Sequence, residues 1–115
     1  MTEHATIYAV DFDGTLCKNI WPGIGAPNFR LIHFLKREQR EGAKVILWTM
    51  REGEMLQKAL NWLHEKFDFT PDAVNDNIPE MKEYYNNNPR KVFANVYIDD
   101  HNAKFRIWEE YGSTI

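Results

Sequence analysis

Asp11 and Asp13 stand one residue apart at the end of an apolar run, in Ala9-Val10-Asp11-Phe12-Asp13-Gly14-Thr15-Leu16. Two carboxylates that close repel each other, and each loses hydration if the run before them is a buried strand. A second apolar run, Val92 to Ile98, also stops at an acidic pair, Asp99 and Asp100, and a third, Ala43 to Trp48, stops at Thr49. If the three runs are neighbouring strands, Asp11, Asp13, Asp99 and Asp100 converge as four carboxylates around one point. A hard divalent cation held through oxygen would relieve that repulsion, and Mg²⁺ normally keeps waters while binding one or two carboxylates and a phosphate. The Thr49 hydroxyl and the Lys91 ammonium are both suited to phosphate oxygens. Carboxylates, cation, hydroxyl and lysine together describe phosphoryl chemistry.

The elements that must position these groups can be read from period and punctuation. Thr6 to Val10 is short and rich in β-formers, which predicts a buried strand. Cys17 to Pro27 holds Pro22, Gly23, Gly25 and Pro27 around Trp21 and Ile24, and reads as a loop or small hairpin. From Asn28 the spacing turns helical, with Leu31, Ile32, Phe34 and Leu35 on one face, a solvated charge run from Lys36 to Glu41, and Gly42 at the C-terminal cap. Ala43 to Trp48 predicts a second strand, and Met55, Leu56, Ala59, Leu60, Leu63 and Phe67 a second amphipathic helix. Asp72 to Val74 predicts a short third strand, Met81 to Tyr85 a helix ended by Asn86-Asn87-Asn88-Pro89, Val92 to Ile98 a fourth strand, and Phe105 to Tyr111 a closing helix. Alternating strands and helices argue for a three-layer, Rossmann-like α/β fold with a parallel sheet and helices on both faces. In such sheets ligands bind beyond the carboxyl ends of the strands, where Asp11, Thr49 and Asp99 fall.

The bulk properties agree with a single domain over residues 1–115. The chain is 43% hydrophobic and 27% charged, which suits one globular core and leaves no length for a second. A net charge of -3 with no long basic run leaves no broad electrostatic footprint for long nucleic acid, while a small local basic site and a nucleic-acid terminus as substrate stay open. With Cys17 as the only cysteine, no intrachain disulfide or thiolate metal cluster can form. No segment has the apolar length to cross a bilayer, and the first residues do not read as a secretion signal, so a cytoplasmic protein is expected.

The segment Asp11-Phe12-Asp13-Gly14-Thr15 resembles the DxDGT signature of the haloacid dehalogenase superfamily of hydrolases. The resemblance continues with Thr49 after VILW, a lysine before the last strand, and Asp99-Asp100 after VYI, and it spans nearly the whole chain. It implies an Mg²⁺-dependent phosphatase in which Asp11 attacks phosphorus to form an aspartyl-phosphate and Asp13 serves as general acid and then base. Mg²⁺ would be held by the Asp11 carboxylate, the Asp13 backbone carbonyl and Asp99, with Asp100 acting directly or through water. Thr49 and Lys91 would hold the phosphoryl oxygens, and the backbone amides of Phe12 and Asp13 would add donors. Lys82 competes with Lys91 for the lysine role. Many members of the superfamily carry a cap domain, but the 38 residues from Asp11 to Thr49 (49 − 11) and the 42 from Thr49 to Lys91 (91 − 49) leave no room for one. The loop from Leu16 to Ala26 would be the family's small flap, with Trp21 and Ile24 as lids. An open site implies a large phosphorylated substrate or closure by a second copy in a homo-oligomer, although small molecules fit it too.

The remaining residues admit plainer readings. Arg51 is a solvated charge unless it reaches an anionic substrate from its place two residues after Thr49. Thr49 also reads as a helix N-cap, a use compatible with phosphate binding at the same helix end. His33 and His64 fall in helical patterns, His101 reads as part of a helix start, and Asn75 and Asn77 fit turn chemistry as well as substrate contact. Trp48, Trp62 and Trp108 read as core or boundary aromatics, and Cys17 as a small packing residue. Two other functions compete with the phosphatase: a signalling receiver domain, whose motifs come in a different chain order, and a binding module that retains the fold without turnover.

Overall fold

A computed structural model of the 115-residue chain describes residues 6–76, 78–79 and 94–99. The expected helices at 81–85 and 105–111, and Lys82, Lys91, Asn77, Asp100, His101 and Trp108, lie outside them.

β1 (Ile7–Val10), β2 (Lys44–Leu47), β3 (Ala73–Val74) and β4 (Val96–Ile98) form one sheet, and every pairing in it is parallel. Its order is β3-β2-β1-β4. The chain thus moves outward from β1 through β2 to β3, then returns to place β4 on the other side of β1. This is the Rossmann arrangement rather than the flavodoxin-like one of receiver domains, in which β3 pairs with β1. The order reverses between β1 and β4, so the crevice beyond their carboxyl ends is the switch point where ligands bind in such sheets.

α1 (Phe29–Arg40) and α2 (Gly53–Phe67) pack on the same face of this sheet. Leu31, Ile32, Phe34 and Leu35 of α1, with Ala59 and Leu63 of α2, meet Tyr8, Val10, Val45, Leu47 and Ile98 from the strands. Alternation along each strand sends the intervening residues Ile7, Ala9 and Ile46 to the opposite face, where they meet Ile78 and Ala94. Burial of each large aliphatic side chain contributes about 1.5–3 kcal/mol, so the first cluster dominates the fold's stability.

Local chemistry sets the boundaries. Asn28 caps α1 by accepting from the Leu31 amide at 3.3 Å. Gly42, at φ 104, follows its end, as the sequence pattern predicts. α2 starts at Gly53, ahead of the first apolar position at Met55, and stops at Asp68, which takes the left-handed conformation. β1 and β2 are each slightly shorter than predicted, and β4 starts at Val96 rather than Val92. Between β1 and β2 the chain spends its length on the flap and α1, so no cap domain is inserted there. No helix among the described residues is long and apolar enough to cross a membrane.

Candidate active site

Val10 pairs with Leu47 on one side and Ile98 on the other, so the next residues of three adjacent strands are Asp11, Trp48 and Asp99. The ladder continues one step further, with the Asp11 amide donating to the Ile98 carbonyl (3.0 Å) and the Trp48 amide to the Val10 carbonyl (2.8 Å). These bonds hold Asp11 and Asp99 beside each other at the switch point. Asp11 Oδ1 accepts the Phe12 amide at 2.8 Å, which fixes the carboxylate's rotation. The Phe12 amide, expected as a phosphate donor, is therefore engaged by the carboxylate before it.

Thr49 is buried and braced from two sides. Its backbone exchanges two hydrogen bonds with the Asn75 side chain: its amide donates to Asn75 Oδ1 (2.8 Å), and its carbonyl accepts from Asn75 Nδ2 (2.9 Å). Asn75 reaches it from the end of β3 with a φ of 52°, a conformation asparagine tolerates better than most residues. Thr49 Oγ1 accepts the Arg51 amide at 3.0 Å, and a hydroxyl that accepts one bond still has its own proton to donate. Thr49 is not the cap of α2, whose N-cap is Glu52. Asn75 acts on Thr49 rather than as a simple turn residue.

The largest departure from the sequence reading is Arg51. It is 1% exposed, so it is not a solvated charge. Its Nε and Nη2 each donate to one oxygen of Asp13, both at 2.8 Å, a bidentate ion pair. Nη2 also donates to the Gly23 carbonyl at 2.7 Å, and Nη1 makes longer bonds, 3.4 Å each, to the carbonyls of Pro22 and Met55. The rings of Phe12 and Trp21 lie 5.1 and 4.9 Å from the guanidinium carbon. Its bond to the Asp13 carboxylate holds the guanidinium above its ordinary range, so it is a permanent cation. Of the four carboxylates, Asp13 is paired with Arg51, Asp11 and Asp99 line the cavity at the switch point, and Asp100 lies outside the described residues.

The segment joining Asp13 to α1 is tightly organised. The Phe12 carbonyl accepts the amides of Thr15, Leu16 and Cys17, and Gly14 turns the chain at φ 86. Lys18 and Ala26 pair across the flap, and Gly25 approaches so closely that a Cβ there would lie 2.4 Å from the Lys18 carbonyl oxygen. Asn28 Nδ2 donates to the Thr15 carbonyl, tying the flap base to α1. Trp21 lies over Arg51, while Ile24 packs into the main core and is no lid. Burial pushes the Cys17 thiol up, with the carboxylates of Asp13 and Asp11 adding to the shift, so it is a packing residue rather than a nucleophile.

The donor set at the switch point suits a hard cation. The Asp11 and Asp99 carboxylates line the cavity and are the ligand type a hard cation takes, while the Asp13 carboxylate is paired with Arg51. Among the described residues no three histidines, cysteines or acids cluster into a complete cage. His33 and His64 are exposed helix residues and take no part.

Trp48 is a boundary aromatic, as expected, and it lines the cavity edge to face with Tyr97. Trp62 is the boundary residue expected, with its ring against Phe12 and Phe67.

Neither a protein-family model nor a curated protein matches the chain. A conserved protein from Bacteroides thetaiotaomicron, known from its solved structure, is 32% identical and superposes with a TM-score of 0.76. The match covers 97% of this chain and 93% of that one. Identity at that level over nearly the full length of both chains shows common descent and a common fold: this chain belongs to the same family as that conserved protein.

Proposed function

We propose that the protein is an Mg²⁺-dependent phosphomonoesterase that works through an aspartyl-phosphate on Asp11. The observation that carries this reading is the placement of Asp11 at the carboxyl end of β1, beside Asp99 across the switch point and one strand from the braced Thr49 hydroxyl.

A carboxylate oxygen of Asp11 attacks phosphorus in line, forming the Asp11 O–P bond as the ester P–O bond breaks. Thr49 donates its hydroxyl to a non-bridging oxygen, and Lys91 is the chain's candidate for a second donor. Asp13 is a carboxylate in its pair with Arg51, so to act as general acid it first takes a proton from solvent on one oxygen and then passes it to the leaving alkoxide. Both Asp13 oxygens are bonded to Arg51 at rest, so one must exchange that partner for the leaving oxygen. Asp13, again a carboxylate, then takes a proton from water as the water oxygen attacks phosphorus. The Asp11 O–P bond breaks, releasing inorganic phosphate and restoring the Asp11 carboxylate. Mg²⁺, held by Asp11, the Asp13 carbonyl and Asp99 with Asp100 as a further candidate ligand, would supply charge neutralisation around the phosphoryl group.

The test is phosphate release from an aryl phosphate by the wild type and by Asp11→Asn, each with Mg²⁺ and with EDTA. Release that requires Mg²⁺ and is lost in Asp11→Asn supports the reading. Release that persists in Asp11→Asn refutes the nucleophile. No release across a panel of esters, together with no Mg²⁺ binding, favours a binding module on the same fold.

A further inference from the structure

The cavity at the switch point has an apolar wall that the phosphoryl steps do not use. Strand alternation directs Ala9 and Tyr97 to one face of the sheet, and Trp48, one residue past β2, meets Tyr97 there. Ala9 lies between Ile46 and Tyr97 in the register, and its methyl group fills little of the gap. The result is a hollow of about 360 Å³ with Ala9, Trp48, Met50 and Tyr97 along its wall and Asp11, Thr49 and Asp99 at its polar end.

That volume lies in the range of small-molecule sites, and an apolar wall with a few polar groups gathered at one end is how such sites are built. The rings of Trp48 and Tyr97 meet at 68° with centroids 5.9 Å apart, forming an aromatic corner. Core packing among the described residues does not account for Trp48: Val45, Ile46 and Leu47 before it are fully buried, yet it is 41% exposed, and Met50 is 96% exposed. An indole held on the last residue past a rigid strand presents a flat face at low entropic cost.

We propose that this hollow receives the leaving group, and that the substrate is a small phosphate ester whose alcohol carries a flat unsaturated ring, a nucleobase or an aryl group, stacked in the Trp48–Tyr97 corner. The proposal rests on the phosphatase reading for its chemistry. The ring would lie on the aromatic wall while the phosphoryl group reaches Asp11 and Thr49. Stacking on one aromatic side chain is worth roughly ten- to hundredfold in binding.

The experiment compares esters that share a leaving oxygen and differ only in the ring. Adenosine 5′-monophosphate is set against ribose 5-phosphate, and 2-phenylethyl phosphate against its cyclohexyl counterpart, in wild type and Trp48→Leu. The wild type is expected to favour the flat-ring member of at least one pair by about tenfold or more in kcat/KM, and the pair identifies nucleobase or aryl. In Trp48→Leu that ratio falls toward one, mainly through KM. Equal kcat/KM within both pairs, or a ratio that survives in Trp48→Leu, overturns the proposal while leaving the phosphatase reading intact. If no ester is hydrolysed, that reading fails instead, and the hollow is judged by fluorescence titration with adenosine 5′-monophosphate and 2-phenylethyl phosphate. Quenching by either that is absent in Trp48→Leu upholds the ring site, and no quenching by either overturns it.

Discussion

Replacing Arg51 by methionine tests whether the buried guanidinium is the joint between flap and site. Methionine keeps an unbranched apolar stem between the rings of Phe12 and Trp21 but removes every donor. The bidentate pair with Asp13 is lost, and so are bonds to the carbonyls of Gly23, Pro22 and Met55. Breaking a buried ion pair by deleting one partner costs about 3–5 kcal/mol. The Asp13 side chain is 18% exposed and can recover some hydration once unpaired, which places the expected loss near the low end, about 3 kcal/mol. In a chain of this size that corresponds to a fall of roughly 10 °C in Tm. Urea unfolding followed by far-ultraviolet circular dichroism measures it, with the slope of the transition checked for two-state behaviour.

The converse substitution sharpens the test. Asp13→Asn strands a cation that is 1% exposed, so it is expected to cost at least as much as Arg51→Met although it removes fewer bonds. The double variant should then be more stable than the sum of the two losses predicts, by about 2 kcal/mol or more, because neither charge is left unpaired. Losses under about 1 kcal/mol for both single variants, or strict additivity, would refute the claim that this pair is a buried and coupled unit.

Three further outcomes follow from contacts around the site. Asn75→Gly removes the two bonds that brace Thr49 while keeping access to positive φ, for a loss of about 1 kcal/mol; Asn75→Ala adds backbone strain and should lose about 2 kcal/mol, with denaturant unfolding separating the two. Asn28→Ala deletes both the α1 cap and the bond to the Thr15 carbonyl and is expected to cost about 1–2 kcal/mol by the same assay. Because burial raises the Cys17 pKa above its ordinary 9.0, the folded chain keeps that proton where the unfolded chain has lost it. This contribution is therefore complete below pH 9.0 and declines above it, and Cys17→Ala should flatten the fall of stability with pH in that alkaline range.

The sheet and the helices beside it were legible because their patterns are local. VILW reads as a strand from its composition, and Leu31 through Leu35 show one buried stripe. The start of α2 was missed because Gly53 and Glu54 are exposed, so the first turn leaves no apolar mark. Strand order was beyond reach for a different reason: alternation of strands and helices implies parallel pairing but does not say on which side of β1 the last strand returns. Arg51 is the clearest failure. Its separation from Asp13 is 38 residues, and nothing in the local sequence distinguishes a buried arginine from a solvated one. The available signal was geometric: an arginine just past β2, one strand from an acidic turn just past β1, has the reach for a bidentate pair.

The repulsion between two acids one residue apart is resolved in two different ways. Asp13 receives a cation from within the chain, whereas Asp11 turns one oxygen to the Phe12 amide and lines the cavity with Asp99. The same guanidinium also bonds to the flap at Pro22 and Gly23 and lies against Trp21. Lifting the flap and releasing an oxygen of Asp13 therefore draw on bonds to one side chain. Any group that takes an Asp13 oxygen from Arg51 removes one anchor of that side chain, while its bonds to the Gly23 and Pro22 carbonyls remain.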